Sequence, residues 1–180
     1  MKTWIALFRG INMVGKHLLP MKELVALLEG LGARDVKTYH QSGNAVFRHR
    51  GKDASKLAGR ISAAIEKEYE FKPLVILLGA EKLARIIVDN PFPEGESEPG
   101  RLAVGFMAAA PEKPDLEALE AVRKKSERFA LCGDVFYFHA PEGFYRSKLG
   151  GKIERSLGVA VTGRAWSSVI KVMAIAKEMN

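Results

Sequence analysis

Two short, glycine-punctuated polar segments hold the residue types in this chain most able to do chemistry. The first is Arg9-Gly10-Ile11-Asn12-Met13-Val14-Gly15-Lys16-His17 and the second is Thr38-Tyr39-His40-Gln41-Ser42-Gly43-Asn44. Together they suit the capture of an anion: cations supply charge, amides and a hydroxyl supply directed hydrogen bonds, and glycine lets the backbone come close. The expected ligand-binding set has Arg9 and Lys16 as charge donors and Gly10, Gly15 and Gly43 as shapers of the backbone. Asn12, Gln41, Ser42 and Asn44 would orient the ligand, with His40 on the same rim. A structural reading competes with this one, in which Arg9 pairs with a carboxylate and Asn12 and Asn44 tie turns together. No residue is assigned a catalytic role. His40 and Ser42, two apart, form a base and hydroxyl pair that an enzyme acting on a small acidic substrate would use, but no third group to orient His40 is evident.

Other chemistry is weakly represented. Gly10, Gly15 and Lys16 match most of a P-loop, yet His17 stands where the magnesium-binding Ser or Thr belongs, and the helix is expected to start at Pro20 rather than at Lys16. His17, His40, His49 and His139 show no ligand spacing, so no metal is expected, and no cofactor. Cys132, beside Gly133 in a turn, reads as a structural thiol. A second basic cluster comprises Arg146, Lys148 and Arg164. Within it Gly150-Gly151 reads either as a helix interior made glycine-rich for a close approach, or as the lead-in to a helix starting after Gly151.

The elements that must position these groups follow from periodicity. Thr3–Arg9 reads as a strand, and a helix from Pro20 buries Leu24, Leu27, Leu28 and Leu31 before Gly30 and Gly32 close it. Val36–Gln41 and Ala45–His49 read as a hairpin turning on Ser42-Gly43. Ser55 can cap a helix with Leu57, Ile61 and Ile65 inward, and Leu74–Leu78 is a buried strand. That order, β-α-β-β-α-β, is the ferredoxin-like split motif. A short helix carrying Leu83, Ile86 and Ile87 stops at Asn90-Pro91.

The expected fold class is therefore α+β, with two ferredoxin-like halves and an added C-terminal helix. The expected domains are 1–90, a linker at 91–100, and a diverged second half at 101–180. In that half Leu102–Ala108, Phe129–Cys132 and Val135–His139 read as strands, and Leu116–Lys125 and Ser167–Met179 as helices. Several strands are apolar on both faces, Ile5 and Leu7 alternating with Trp4 and Phe8, so the sheets are expected to cover one another or to bury a partner. Burying Trp4 and Phe8 would contribute roughly 2 to 3 kcal/mol each.

A β-α-β crossover returns the chain in its original direction, so the first two strands end at one sheet edge. The loop after Arg9 and the hairpin at Ser42 should then meet there, where open α/β sheets commonly bind ligands. The loop also runs into a helix N-terminus, whose free amides favour anions.

At these residues the chain resembles the bacterial domain-of-unknown-function family numbered 1697. The resemblance rests on Arg9-Gly10-Ile11-Asn12, Gly15-Lys16, Pro20-Met21, Thr38-Tyr39, Gln41-Ser42-Gly43-Asn44 and Asn90-Pro91-Phe92-Pro93. It continues in Arg146-Ser147-Lys148-Leu149, Glu154-Arg155, Leu157-Gly158-Val159, Thr162 and Arg164. It implies an α+β fold of ferredoxin-like halves and carries no established activity. The chain departs from the family at His40, where Ile is common, and at Ala165-Trp166-Ser167-Ser168, which replaces Asn-Trp-Asn-Thr and removes two amides.

Composition bounds the partners. At 47% hydrophobic and 27% charged residues the chain reads as an ordinary soluble globular protein, and a single cysteine excludes an internal disulfide and points to the cytoplasm. No membrane span is expected. The net charge of +7 is uneven: residues 1–90 carry +6, 91–100 carry −3 and 101–180 carry +4. That balance favours an anionic small molecule, or nucleic acid held by basic loops. Nucleic-acid binding on the sheet face itself is disfavoured, because Asn44 and Val46 stand where stacking rings would sit and Phe47 is expected to face the helices. A protein-interaction module would instead expose Trp4, Phe8 and Trp166 as an apolar patch.

Overall fold

The apolar run Thr3–Phe8 builds β1 (Lys2–Arg9) in the computed structural model, which describes residues 1–41 and 43–179. Ser42, an expected site residue, lies outside the described residues. Around β1 the first half is laid down as α1 (Met21–Gly30), β2 (Arg34–Tyr39), β3 (Asn44–His49), α2 (Ala54–Tyr69) and β4 (Leu74–Gly79). The sheet order is β2-β3-β1-β4 and every neighbouring pair is antiparallel, so β1 and β2 run in the same direction and end at the same edge. α1 closes with a Schellman pair, Ala33 N–H on the Leu28 carbonyl and Gly32 N–H on that of Glu29, with Gly32 at φ +97°. α2 is capped by Asp53, whose carboxylate accepts the Lys56 N–H at 3.0 Å, and not by Ser55, which lies inside the helix.

α3 (Ala80–Val88) follows β4 directly. The second half then repeats the first: β5 (Leu102–Phe106), α4 (Leu116–Glu120), β6 (Arg128–Cys132), β7 (Val135–His139), α5 (Ile153–Leu157) and β8 (Thr162–Ala165), in the antiparallel order β6-β7-β5-β8. It is thus a complete split motif: α5 is the helix expected after Gly151, and β8, for which the sequence gives no clear strand pattern, completes it. α4 stops at Glu120, short of the expected Lys125, and beyond it the Arg123 guanidinium donates to the carbonyls of Lys124 and Glu127 at 3.3 and 2.9 Å. Gly150 and Gly151 sit in a 3-10 turn ahead of α5 with no neighbour within 4 Å of where a Cβ would be, so the helix starts later and no close approach demands glycine there. α6 (Trp166–Glu178) ends the fold.

The described residues form two compact units, 1–85 together with 171–180, and 86–170. In the first, Trp4, Phe8, Ala45 and Phe47 of the sheet pack on Leu24 and Leu28 of α1 and on Leu57, Ile61 and Ile65 of α2. In the second, Phe136 and Phe138 pack on Leu119 of α4 and Leu157 of α5. The opposite strand faces are buried as well: Ile5 is 0% and Val46 1% exposed in the first unit, Val104 0% and Tyr137 1% in the second. Tyr137 satisfies its phenol by donating to the Ile86 carbonyl at 2.7 Å.

Trp4, Phe8 and Trp166 are all buried, so the apolar docking patch that an interaction module would need is not built from them. Phe47 faces the helices and Val46 is covered, so neither described β3 position offers a base-stacking ring. Among the described residues no helix is long and apolar enough to cross a membrane.

Candidate functional site

The two polar segments meet at the edge where β1 and β2 end. Asn12 makes the junction. Its side-chain amide donates to the Leu19 carbonyl at 2.9 Å and to the Gln41 carbonyl at 2.8 Å, while its Oδ1 accepts the Leu19 N–H at 2.7 Å. One asparagine thus closes the 12–19 loop on itself and ties it to the hairpin. Phe8 N–H adds a second tie, donating to the Gly43 carbonyl at 2.8 Å. Asn44, 1% exposed, donates to the Tyr39 carbonyl at 2.8 Å and closes the hairpin from inside. The two asparagines therefore act as ties: both amide hydrogens of Asn12 are engaged on backbone, which is the structural reading of this pair.

The hairpin pairs Tyr39 with Asn44, so four residues connect the strands instead of the two expected from Ser42-Gly43. Gly43 has φ +101°, and a Cβ there would stand 2.7 Å from Phe8 Cβ and 2.8 Å from Ile11 Cδ1. Only glycine fits at this contact between hairpin and loop.

The loop itself is rigidly bonded. Asn12 N–H donates to the His17 carbonyl at 2.8 Å and Lys16 N–H to that of Met13 at 2.7 Å, making a tight turn at Val14-Gly15. These bonds engage amides that a P-loop would leave for phosphate, and α1 begins five residues after Lys16. His17 Nδ1 lies 2.8 Å from the Gly10 carbonyl, which can only accept, so Nδ1 carries the proton; the ring stacks on Phe71 with centroids 4.5 Å apart. The docking of His17 was not legible from spacing, since Phe71 is 54 residues away. Asn12, His17 and His40 all adopt left-handed backbone, at φ 48°, 53° and 58°.

The resulting rim is an open surface. Arg9, Lys16, His17, His40 and Gln41 are exposed, and His40 lies edge-on to Tyr39 at 4.0 Å between centroids. Beside the cations the loop holds three apolar side chains in water: Met13, Val14 and Leu18, at 54, 103 and 65% exposure. The α1 N-terminus already has an anion of its own. Glu23 in its first turn accepts the Tyr69 phenol, and that bond, with burial second, pushes the Tyr69 pKa up to about 12. Two cavities of the first unit share no lining residue with the rim. One of about 800 Å³ includes Arg34, Asp35, His49 and Arg50, and one of about 480 Å³ lies between α1 and α2.

The second basic cluster is split by environment. Arg146 and Lys148 are exposed in the segment before α5, whereas Arg164 is half-buried on β8, where burial pulls its pKa down to about 10 and leaves it cationic at neutral pH. Among the described residues no group of three or more His, Cys, Asp or Glu side chains is arranged to hold a metal ion.

Two four-stranded split-motif halves, joined in one chain and carrying a loop-and-hairpin rim on the first, define an α+β protein of duplicated ferredoxin-like architecture. The chain belongs to the family described as protein of unknown function, DUF1697, whose model matches residues 1–137 and so spans the whole rim. Among solved structures, the conserved bacterial protein SP0830 from Streptococcus pneumoniae is similar over 97% of this chain and 98% of its own, with a TM-score of 0.74 at 22% identity, and so shares the fold. No curated protein matches the chain.

Proposed function

We propose that the rim formed by residues 9–17 and 38–44 binds an anionic, phosphorylated organic ligand at the protein surface. The observation that carries the reading is the Asn12 clamp, which holds the cationic loop against the hairpin before any ligand arrives. Left-handed backbone at Asn12, His17 and His40 costs about 1 kcal/mol or more at each residue, and strain of this kind gathers where a geometry is needed for binding. Arg9 and Lys16 supply the charge, the free nitrogen of His17 and the Gln41 amide supply direction, and Met13, Val14 and Leu18 offer contact to the apolar body of the ligand. Inorganic phosphate alone uses only part of this surface, so organic phosphates should bind more tightly.

Thermal unfolding in the presence of inorganic phosphate, nucleotides and sugar phosphates tests the reading. A ligand at a hundred times its Kd stabilises the native state by about 2.7 kcal/mol. The shift should shrink in Arg9→Ala and Lys16→Ala and be larger for the organic phosphates. An absence of stabilisation by every anion, or equal stabilisation of wild type and both variants, rejects the rim as the site.

A further inference from the structure

The segment joining β7 to α5 is built around one exposed aromatic ring. Among the described residues, which include all fifteen Phe, Tyr and Trp side chains, Tyr145 is the only exposed aromatic of these types, at 105%. The backbone fixes it there. Gly143, at φ +90°, donates its N–H to the Ala140 carbonyl at 2.8 Å and turns the chain outward. Phe144 anchors one side of the loop edge-on against Phe138 of the second core, with centroids 5.2 Å apart, and Leu149, 0% exposed, anchors the other. Between the anchors Ser147 N–H donates to the Phe144 carbonyl at 3.1 Å, and Ser147 Oγ accepts the Leu149 N–H at 3.2 Å. The projecting ring is thus held by a bonded loop with packed ends.

Its surroundings are cationic. Arg146, Lys148 and Lys152 are exposed, and no acidic residue occurs from Gly143 to Ile153. The carboxylates that flank this stretch in sequence are engaged: Glu142 accepts from Ser126 Oγ at 2.8 Å and pairs with Lys124 at 3.6 Å, and Glu154 accepts the Val161 N–H at 2.7 Å. An aromatic ring open on both faces and interleaved with cations fits a polymer that alternates phosphates with unpaired bases. A duplex keeps its base faces stacked, and a lipid surface has no ring to offer.

We infer that the Gly143–Leu149 loop is a contact point for single-stranded nucleic acid, with a base stacked on Tyr145 and phosphates against Arg146, Lys148 and Lys152. This contact uses none of the rim's residues and does not depend on the reading of the rim. It is sequence-tolerant, since every base has a face to stack.

Fluorescence anisotropy on the full chain, with a labelled polypyrimidine strand of about 16 nucleotides, tests it. Binding should weaken with salt, with a log–log slope of about −2 for three phosphates neutralised on a single strand. Tyr145→Ala should weaken binding by about tenfold at an unchanged slope, and Tyr145→Trp should restore it. Arg146→Ala with Lys148→Ala should reduce the slope by about 1.4, whereas Lys52→Ala with Lys56→Ala, a matched loss of charge in the first unit, should leave it unchanged. These side chains are exposed, so the variants keep the fold. No binding of the strand, wild-type affinity in Tyr145→Ala, or equal or tighter binding to a duplex or to phosphatidylserine vesicles would each overturn the assignment.

Discussion

Single residues decide whether the rim exists, and glycines show how unlike one another such positions are. Gly43 combines a left-handed φ with a Cβ direction blocked by Phe8 and Ile11, while Gly150 and Gly151 have open space and no left-handed requirement. Gly43→Ala should therefore destabilise the protein by about 2 kcal/mol or more. Gly150→Ala or Gly151→Ala should be neutral or stabilising, by up to about 1 kcal/mol. Urea unfolding of the three variants checks both signs, and a milder effect at Gly43 than at Gly151 would contradict the packing described. The residue types of the rim were legible because Arg, Lys, His and Asn among glycines stand out in a strand-rich half. The partners were not. Asn12 reaches Gln41 across 29 positions and His17 reaches Phe71 across 54, distances that only the folded chain brings together.

At the scale of elements, short-range signals competed and the structure selected among them. Asp53 and Ser55 are both good capping types two residues apart, and the cap falls to Asp53 because its carboxylate reaches the Lys56 N–H. Asp53→Ala should cost about 1 kcal/mol of stability, while Ser55→Ala should stay within about 0.5 kcal/mol. Equal effects in thermal unfolding would put the helix start elsewhere. The strongly periodic elements, β1, α1, α2, β4 and β7, fall within a residue or two of where their patterns predict. β8 is not legible in the sequence because in Thr162-Gly163-Arg164-Ala165 only Thr162 favours a strand, and the segment is one by virtue of pairing with β5. The hairpin differs from its pattern for a related reason: a Ser-Gly pair resembles a two-residue turn, but the Asn44 side chain closes a longer one.

At the scale of the whole molecule, burial on both faces of each sheet should show itself in alkaline unfolding. Burial, aided by Cys132 and Asp89, pushes the Tyr137 phenol up from 10.0 to about 12. The fold favours the neutral phenol, so its contribution is complete below pH 10 and is lost as pH rises towards 12. Denaturant midpoints of wild type should fall across that window, and those of Tyr137→Phe should fall less. An identical fall in both would place the alkaline sensitivity elsewhere, with Tyr69 as the next group to examine. Overall architecture was legible because the β-α-β-β-α-β order of the first half repeats, in weaker form, in the second. One arrangement escapes any linear reading: the first unit recruits the C-terminal part of α6, from Lys171 onward, and Lys37 pairs with Glu178 at 3.0 Å. In synthesis, the segment from Lys171 leaves the ribosome only after the whole of 86–170, yet it settles with the unit made before that stretch. A polypeptide interrupted anywhere between 86 and 170 would therefore lack the Lys37–Glu178 pair.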